Sequence, residues 1–227
     1  MFDEDCWKLY PNQRLLFNKL WIAEMLGYHC GPCGLTVDAD GLYMVRPIYN
    51  LDGMSRGAKT KYLKQGDCST PPGYFWCEYF TGAHYSVDFT YEHGKYVQTL
   101  VVKADKENEY KFTSWTKLPL TKHKFNVPSF VEYFTQGSIP HLNIEYIEDR
   151  VIKVHLRRNP DFLHHKYSRL DVVWASSWDN EQYQKTKGEF IPSQENVFDE
   201  RGDIIDTRLG FYGRGVIAAK QHITKED

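Results

Sequence analysis

Apolar and polar positions follow two periods along the chain. Over residues 12–26 the spacing is helical: Leu16, Leu20, Ala23 and Gly27 fall on one face, with Leu15, Ile22 and Met25 beside it. Gly27 supplies a C-terminal stop. Residues 43–48 read as a strand ending near Pro47, and residues 74–80 as an aromatic-rich strand. Residues 84–91 and 95–103 form two more strands, joined across Glu92-His93-Gly94 with glycine at the turn. Ser129 is placed to cap a short helix running to Gly137. Residues 142–147 and 151–156 make a second hairpin across Glu148-Asp149-Arg150. After Pro160 the texture turns polar, and only a short apolar piece at residues 170–175 stands out.

The second hairpin carries the densest chemistry. Side chains alternate faces along a strand. His141, Asn143 and Glu145 therefore share one face of the first strand, and Lys153, His155 and Arg157 share one face of the second. Such a stripe is either the solvated outer face of an antiparallel sheet or a floor for charged ligand groups. Two histidines, an asparagine and an arginine beside one carboxylate are unusual choices for solubility alone.

A second candidate lies upstream. Arg46 sits on a strand that runs into a loop containing Gly53, Ser55 and Gly57. Backbone N–H groups of such a loop approach phosphate oxygens closely, and a neighbouring cation neutralises them. The loop is not a true P-loop: Ala58 separates Gly57 from Lys59, and Gly66 comes too soon after Thr60 for a packed helix. An ordinary surface loop is the alternative. Cys30-Gly31-Pro32-Cys33 matches a thioredoxin-type redox motif in letters. It lacks the preceding strand and following helix which that chemistry needs. Zinc would need two further ligands with paired spacing, which the other cysteines and His29 do not offer.

Composition narrows the field. The chain has 227 residues with 28 Lys plus Arg against 30 Asp plus Glu, a net charge of −2. That argues against nucleic acid as the main partner, although a local basic patch is compatible with it. With 41% apolar and 15% aromatic residues the chain is too hydrophobic for disorder. No apolar run is long enough for a membrane span, and the acidic start Asp3-Glu4-Asp5 argues against a secretory signal. Five irregularly spaced cysteines point to reduced thiols and a cytoplasmic location. The Arg/Gly/aromatic run at residues 207–215 suits either a structural hairpin or stacking on single-stranded nucleic acid.

Taken in order, these pieces resemble the ATP-grasp family over residues 14–160. The helix running from Asn18-Lys19-Leu20 to Gly27 is followed by Val45-Arg46-Pro47, similar to the family's strand ending in a cation and proline. The loop at residues 50–58 resembles its flexible phosphate-covering loop. Residues 78–88, from Glu78 through Gly82 to Ser86-Val87-Asp88, resemble its hinge, and Glu145 with Lys153, His155 and Arg157 occupies its metal-binding hairpin. The resemblance implies an α+β fold of two lobes whose antiparallel sheets sandwich a nucleotide. The lobes would be residues 1–77 and 78–165, with an extension over 166–227.

It also implies roles. Arg46 and the loop of Gly53, Ser55 and Gly57 would hold phosphates, Glu78 and Phe80 the adenine, and His84 the ribose. Glu145 would bind Mg2+, and Arg157 would face the reacting carboxyl group. Three departures stand out: Lys153 replaces a metal-bridging carboxylate, weakening magnesium or substituting for it, His155 replaces a coordinating asparagine, and His84 replaces a ribose-binding acid. The implied activity is an ATP-dependent ligase joining a carboxylate, small-molecule or peptide, to an amine through an acyl phosphate. A relative that binds nucleotide without turnover is the alternative. The family's usual leading domain is missing, so a partner subunit, another copy of the chain or the C-terminal extension would complete the acceptor site. The compact, Tyr-rich chain resembles proteins of phage origin.

Overall fold

The computed structural model describes residues 2–51, 55–106, 112–162, 168–174, 188–192 and 214–219. Helix α1 (Asp3–Leu9) leads into a 3-10 turn at Pro11–Phe17 and then helix α2 (Lys19–Met25). Strands β1 (Cys30–Pro32), β2 (Gly41–Pro47), β3 (Lys59–Leu63) and β4 (Tyr74–Glu78) form a four-stranded sheet in the order β1-β4-β2-β3. The chain then crosses to a larger sheet through β5 (His84–Glu92), β6 (Lys95–Lys106) and β7 (Phe112–Lys117). Helix α3 (Ser129–Thr135) precedes β8 (His141–Ile147) and β9 (Arg150–His155). Strands β10 (Arg169–Trp174), β11 (Gly188–Pro192) and β12 (Arg214–Ala219) complete the described elements. Among these residues the larger sheet has eight strands, ordered β11-β12-β10-β7-β6-β5-β8-β9, and every described pairing is antiparallel. The expected α+β class is the one observed.

The two expected hairpins form with their turns as read. His93 and Gly94 both take positive φ (49° and 86°), the conformation a two-residue turn between right-twisted strands requires. Glu148, at φ 54°, does the same between β8 and β9. A bulge between Glu145 and Tyr146 lets both Tyr146 and Val151 reach the core.

Two local expectations need correction. The helix expected over residues 12–26 is broken at Asn18, whose side chain accepts a hydrogen bond from Trp21 N (2.9 Å) and so caps α2 afresh. The break rotates the buried face of α2 to Lys19, Ile22 and Ala23. Helix α1 was not anticipated at all. Ser129 is the first helical residue of α3 and Pro128 its cap, with no side-chain cap bond. Cys30 and Pro32 lie in β1, paired with β4, so the thiol motif does not sit at a helix start, and all five cysteines are free. The loop after β2 leads into a strand, as expected of a loop that is no P-loop.

One face of β5, β8 and β9 is apolar. Val87, Leu142, Ile144 and Val154 pack there beneath Cys6, Leu16, Phe130 and Val131 from the helical segments. Each fully buried aliphatic side chain contributes roughly 1.5–3 kcal/mol. With that face filled, alternation sends the polar residues to the other. No helix among the described residues is long and apolar enough to cross a membrane. His164 and His165 lie outside the described residues, as do residues 207–213; Arg214 and Gly215 open β12, which pairs with β10 and β11.

Candidate functional site

Between the two sheets lies an open cleft; its empty space, the open solvent at its mouth included, is about 930 Å³. The small sheet contributes Met44, Arg46, Cys77 and Glu78, and the large sheet His84, Glu145, Ile147, Ile152 and Lys153. Ser55, Arg56 and Ala58 line it from the loop, and Tyr79 and Phe80 from the crossing between sheets. Of the residues expected at a nucleotide site, Arg46, Ser55, Glu78, Phe80, His84, Glu145 and Lys153 thus meet in one place. Gly53 lies outside the described residues. Gly57 does not line the cleft; its φ of 76° and the nearness of the Tyr74 hydroxyl and Pro47 ring leave no room for a Cβ.

The polar stripe is not a solvated outer face. Glu145 stands between two imidazoles: His155 Nε2 is 3.0 Å from Oε1 and His84 Nε2 is 3.2 Å from Oε2. The other side of His155 faces Asp3, with Nδ1 at 2.6 Å and 2.8 Å from its two oxygens. Arg157 Nε donates to Asp3 Oδ1 (2.7 Å), and Lys153 Nζ lies 3.7 Å from Asp3 Oδ2. Burial alone would raise the Asp3 carboxyl, but His155, Arg157 and Lys153 overcome it and hold it below the usual carboxylate range. Glu145 behaves likewise: burial raises it, and His155, His84 and Lys153 bring it well below the ordinary value. His84, only 5% exposed, is pushed down by burial despite Glu145. His155 and Arg157 do not line the cleft, because Asp3 of the unanticipated α1 holds both behind it.

Asn143 turns inward to a separate cluster. Its Nδ2 donates to Ser86 Oγ (2.7 Å) and Asp88 Oδ1 (2.9 Å), and Asn159 N donates to the same Asp88 oxygen (2.8 Å). Asp88 Oδ2 has no partner among the described residues. Burial pushes the Asp88 carboxyl up to about 6, against the pull of Asn159 and Asn143. A carboxyl raised on folding takes up a proton, so the stability it contributes is complete below about pH 4 and lost as pH rises through about 6. Asp88→Asn should therefore gain stability relative to the parent as pH rises from 4 to 7. Urea melts at both pH values check this, and an unchanged difference between them would refute it.

Besides Asp3, sequence reasoning missed Lys19. It is 6% exposed, lines the cleft, and its Nζ has no hydrogen-bond partner among the described residues. The signal was available: Lys19, Ile22 and Ala23 share one stripe once α2 starts at Asn18. Burial, then Lys153 and Arg46, lower the Lys19 amine well below its ordinary value. Arg46 is half-buried; its Nη2 donates to Ile152 O (3.2 Å), its guanidinium lies 5.3 Å from the Phe75 ring centre, and its buried Nε is unpartnered among the described residues. Five basic side chains therefore line the cleft, Lys19, Arg46, Arg56, Lys106 and Lys153, and Lys19 and Arg46 carry polar atoms orphaned among the described residues, an arrangement suited to an anion such as a phosphate chain.

The same residues do not suit magnesium. Magnesium demands hard oxygen ligands in near-octahedral geometry. Of the cleft's two described carboxylates, Glu78 accepts from His29 N (3.0 Å) and Glu145 has an imidazole against each oxygen. Lys153 pairs with Glu145 across the strands, and no His/Cys/Asp/Glu group among the described residues is arranged to hold a metal.

No family model and no curated protein matches the sequence. Solved structures do match the fold. L-amino acid ligase from Bacillus licheniformis aligns at TM-score 0.56 and 9% identity, over 93% of this chain and 68% of that one. N5-carboxyaminoimidazole synthetase from Staphylococcus aureus, complexed with ADP, aligns at 0.55 and 10%, over 92% and 69%. Carboxyaminoimidazole ribonucleotide synthase from Aspergillus clavatus, complexed with ATP, aligns at 0.52 and 9%, over 91% and 69%. The chain thus spans somewhat more than two-thirds of each. Two antiparallel sheets closing on a charged cleft make this an ATP-grasp fold.

Proposed function

We propose that the chain is an ATP-dependent ligase that joins a carboxylate to an amine or similar nucleophile. The observation that carries this reading is the cleft between the sheets, where Arg46, Lys153 and the Lys19 amine, unpartnered among the described residues, converge. ATP would supply the activating phosphoryl group, making the carboxylate an acyl phosphate open to attack. The protein's part is positioning and charge stabilisation rather than covalent catalysis.

In this reading Lys19, Arg46 and Lys153 hold the phosphates, and Ser55 and its neighbours cover them. The crossing at Glu78 to Phe80 grips the base, with Phe80 braced edge-on by Tyr28 (4.8 Å) and by Arg150 (4.7 Å). Glu145 orients His84 on the ribose side, and Asp3 with Arg157 fixes His155, which in turn fixes Glu145. Arg157 and His155 act as positioning residues. The likeness to ligases and to ADP- and ATP-bound structures supports the assignment.

The test is ATP at millimolar concentration in a magnesium buffer. A ligand at a hundred times its dissociation constant stabilises by about 2.7 kcal/mol, so the melting temperature should rise by several degrees. ADP should form when a carboxylate and an amine are both supplied, and Glu145→Gln should abolish it. Stabilisation with no ADP across a broad substrate panel favours binding without turnover. No stabilisation refutes the reading.

A further inference from the structure

We propose that the cleft binds the triphosphate without a divalent cation, with Lys19, Arg46 and Lys153 supplying the charge a metal would bring. The inference rests on the nucleotide reading above and goes beyond it by naming the ionic form of the ligand.

Three observations carry it. First, the donor set is wrong for a hard cation. Both oxygens of Glu145 are already faced by His155 and His84, and the strand position across from it holds Lys153, an ammonium in place of an oxygen ligand. A cation entering there would meet like charge at close range. Second, the cleft is over-supplied with positive charge while unliganded. Lys19 and Arg46 each present a buried nitrogen with no partner among the described residues, and among those residues the ion-pair neighbour of Lys153 is Asp3, at 3.7 Å. Burying a cation without a partner is unfavourable, and such a group persists where something occupies the site in the working state. Third, the cations act on one another: Lys153 and Arg46 both disfavour the charged form of Lys19. A polyanion placed among them relieves that repulsion. Metal-bound triphosphate carries two fewer negative charges and leaves part of it in place.

Isothermal titration of the full chain with ATP, in EDTA and in excess magnesium, tests this. The dissociation constant in EDTA should equal or be tighter than that in magnesium. Lys153→Met should weaken binding in EDTA by about tenfold or more and weaken binding in magnesium much less. Inorganic tripolyphosphate in EDTA should compete with ATP. Binding that needs magnesium overturns the inference and leaves the nucleotide reading standing. Lys153→Met binding ATP in EDTA as tightly as the parent also overturns it. No binding in either buffer removes both.

Discussion

Lys19→Met raises the melting temperature of the unliganded protein by on the order of 5 °C and abolishes the further rise that ATP gives the parent. The substitution keeps the length and apolar stem of the side chain and removes a buried amine that has no partner among the described residues. Relief of one unsatisfied buried polar group is worth about 1–3 kcal/mol, and at this chain length each kcal/mol moves the midpoint by roughly 2–4 °C. The gain has a pH signature. A lysine depressed on folding holds its proton less tightly than in the unfolded chain, so its unfavourable contribution is fullest at low pH and fades as pH rises toward its ordinary value. The advantage of methionine should narrow accordingly between neutral and alkaline pH. Differential scanning fluorimetry with and without ATP reads both effects. A variant that is less stable than the parent yet keeps its full response to ATP would show Lys19 to be structural.

Asp3→Ala should destabilise by about 3–5 kcal/mol, the usual result of removing one partner from a buried ion pair. Asp3 is 1% exposed and accepts from both His155 and Arg157, so its loss strands two buried groups together. The parent should also be acid-sensitive for the same reason. Asp3 and Glu145 are both depressed on folding, so the stability they provide is present above the unfolded carboxylate range and lost as pH falls below it. Urea melts from pH 7 down to pH 3 should show a steeper decline for the parent than for the variant. A loss under about 1 kcal/mol, or parallel pH profiles, would mean that the contacts around Asp3 are satisfied by water as readily as by protein.

What the sequence disclosed and what it hid follow from the range of the interactions involved. The 84–103 and 142–156 hairpins were legible because two-residue alternation and Gly or Glu turns are local signals. The gathering of Arg46, Glu78, His84 and Glu145 was legible only through the order of weak motifs, since each alone also suits an ordinary surface. Asp3 was hidden because its partners lie more than 150 positions away, and nothing in Asp3-Glu4-Asp5-Cys6 signals them. Lys19 was hidden by a single capping residue: reading through Asn18 placed Leu20 with Ala23 on the buried face, whereas the restart puts Lys19 and Ile22 there with Ala23. The solvated-face alternative for the 141–157 stripe failed because it treated the sheet alone, without the second sheet and α1 that cover it.

Strand β9 ends its sheet, and a terminal strand ordinarily offers a row of bare carbonyls on which another chain can add. Here Ile152 O accepts from Arg46 and Leu156 O, one residue past the strand, accepts from Cys6 Sγ. The arginine that faces the ligand space therefore also occupies one carbonyl of this margin, Ile152 O, that strand addition would need. Loss of Arg46 exposes a templating surface for aggregation as well as emptying the cleft of a cation, so insolubility and loss of ligand affinity should arrive together in that variant.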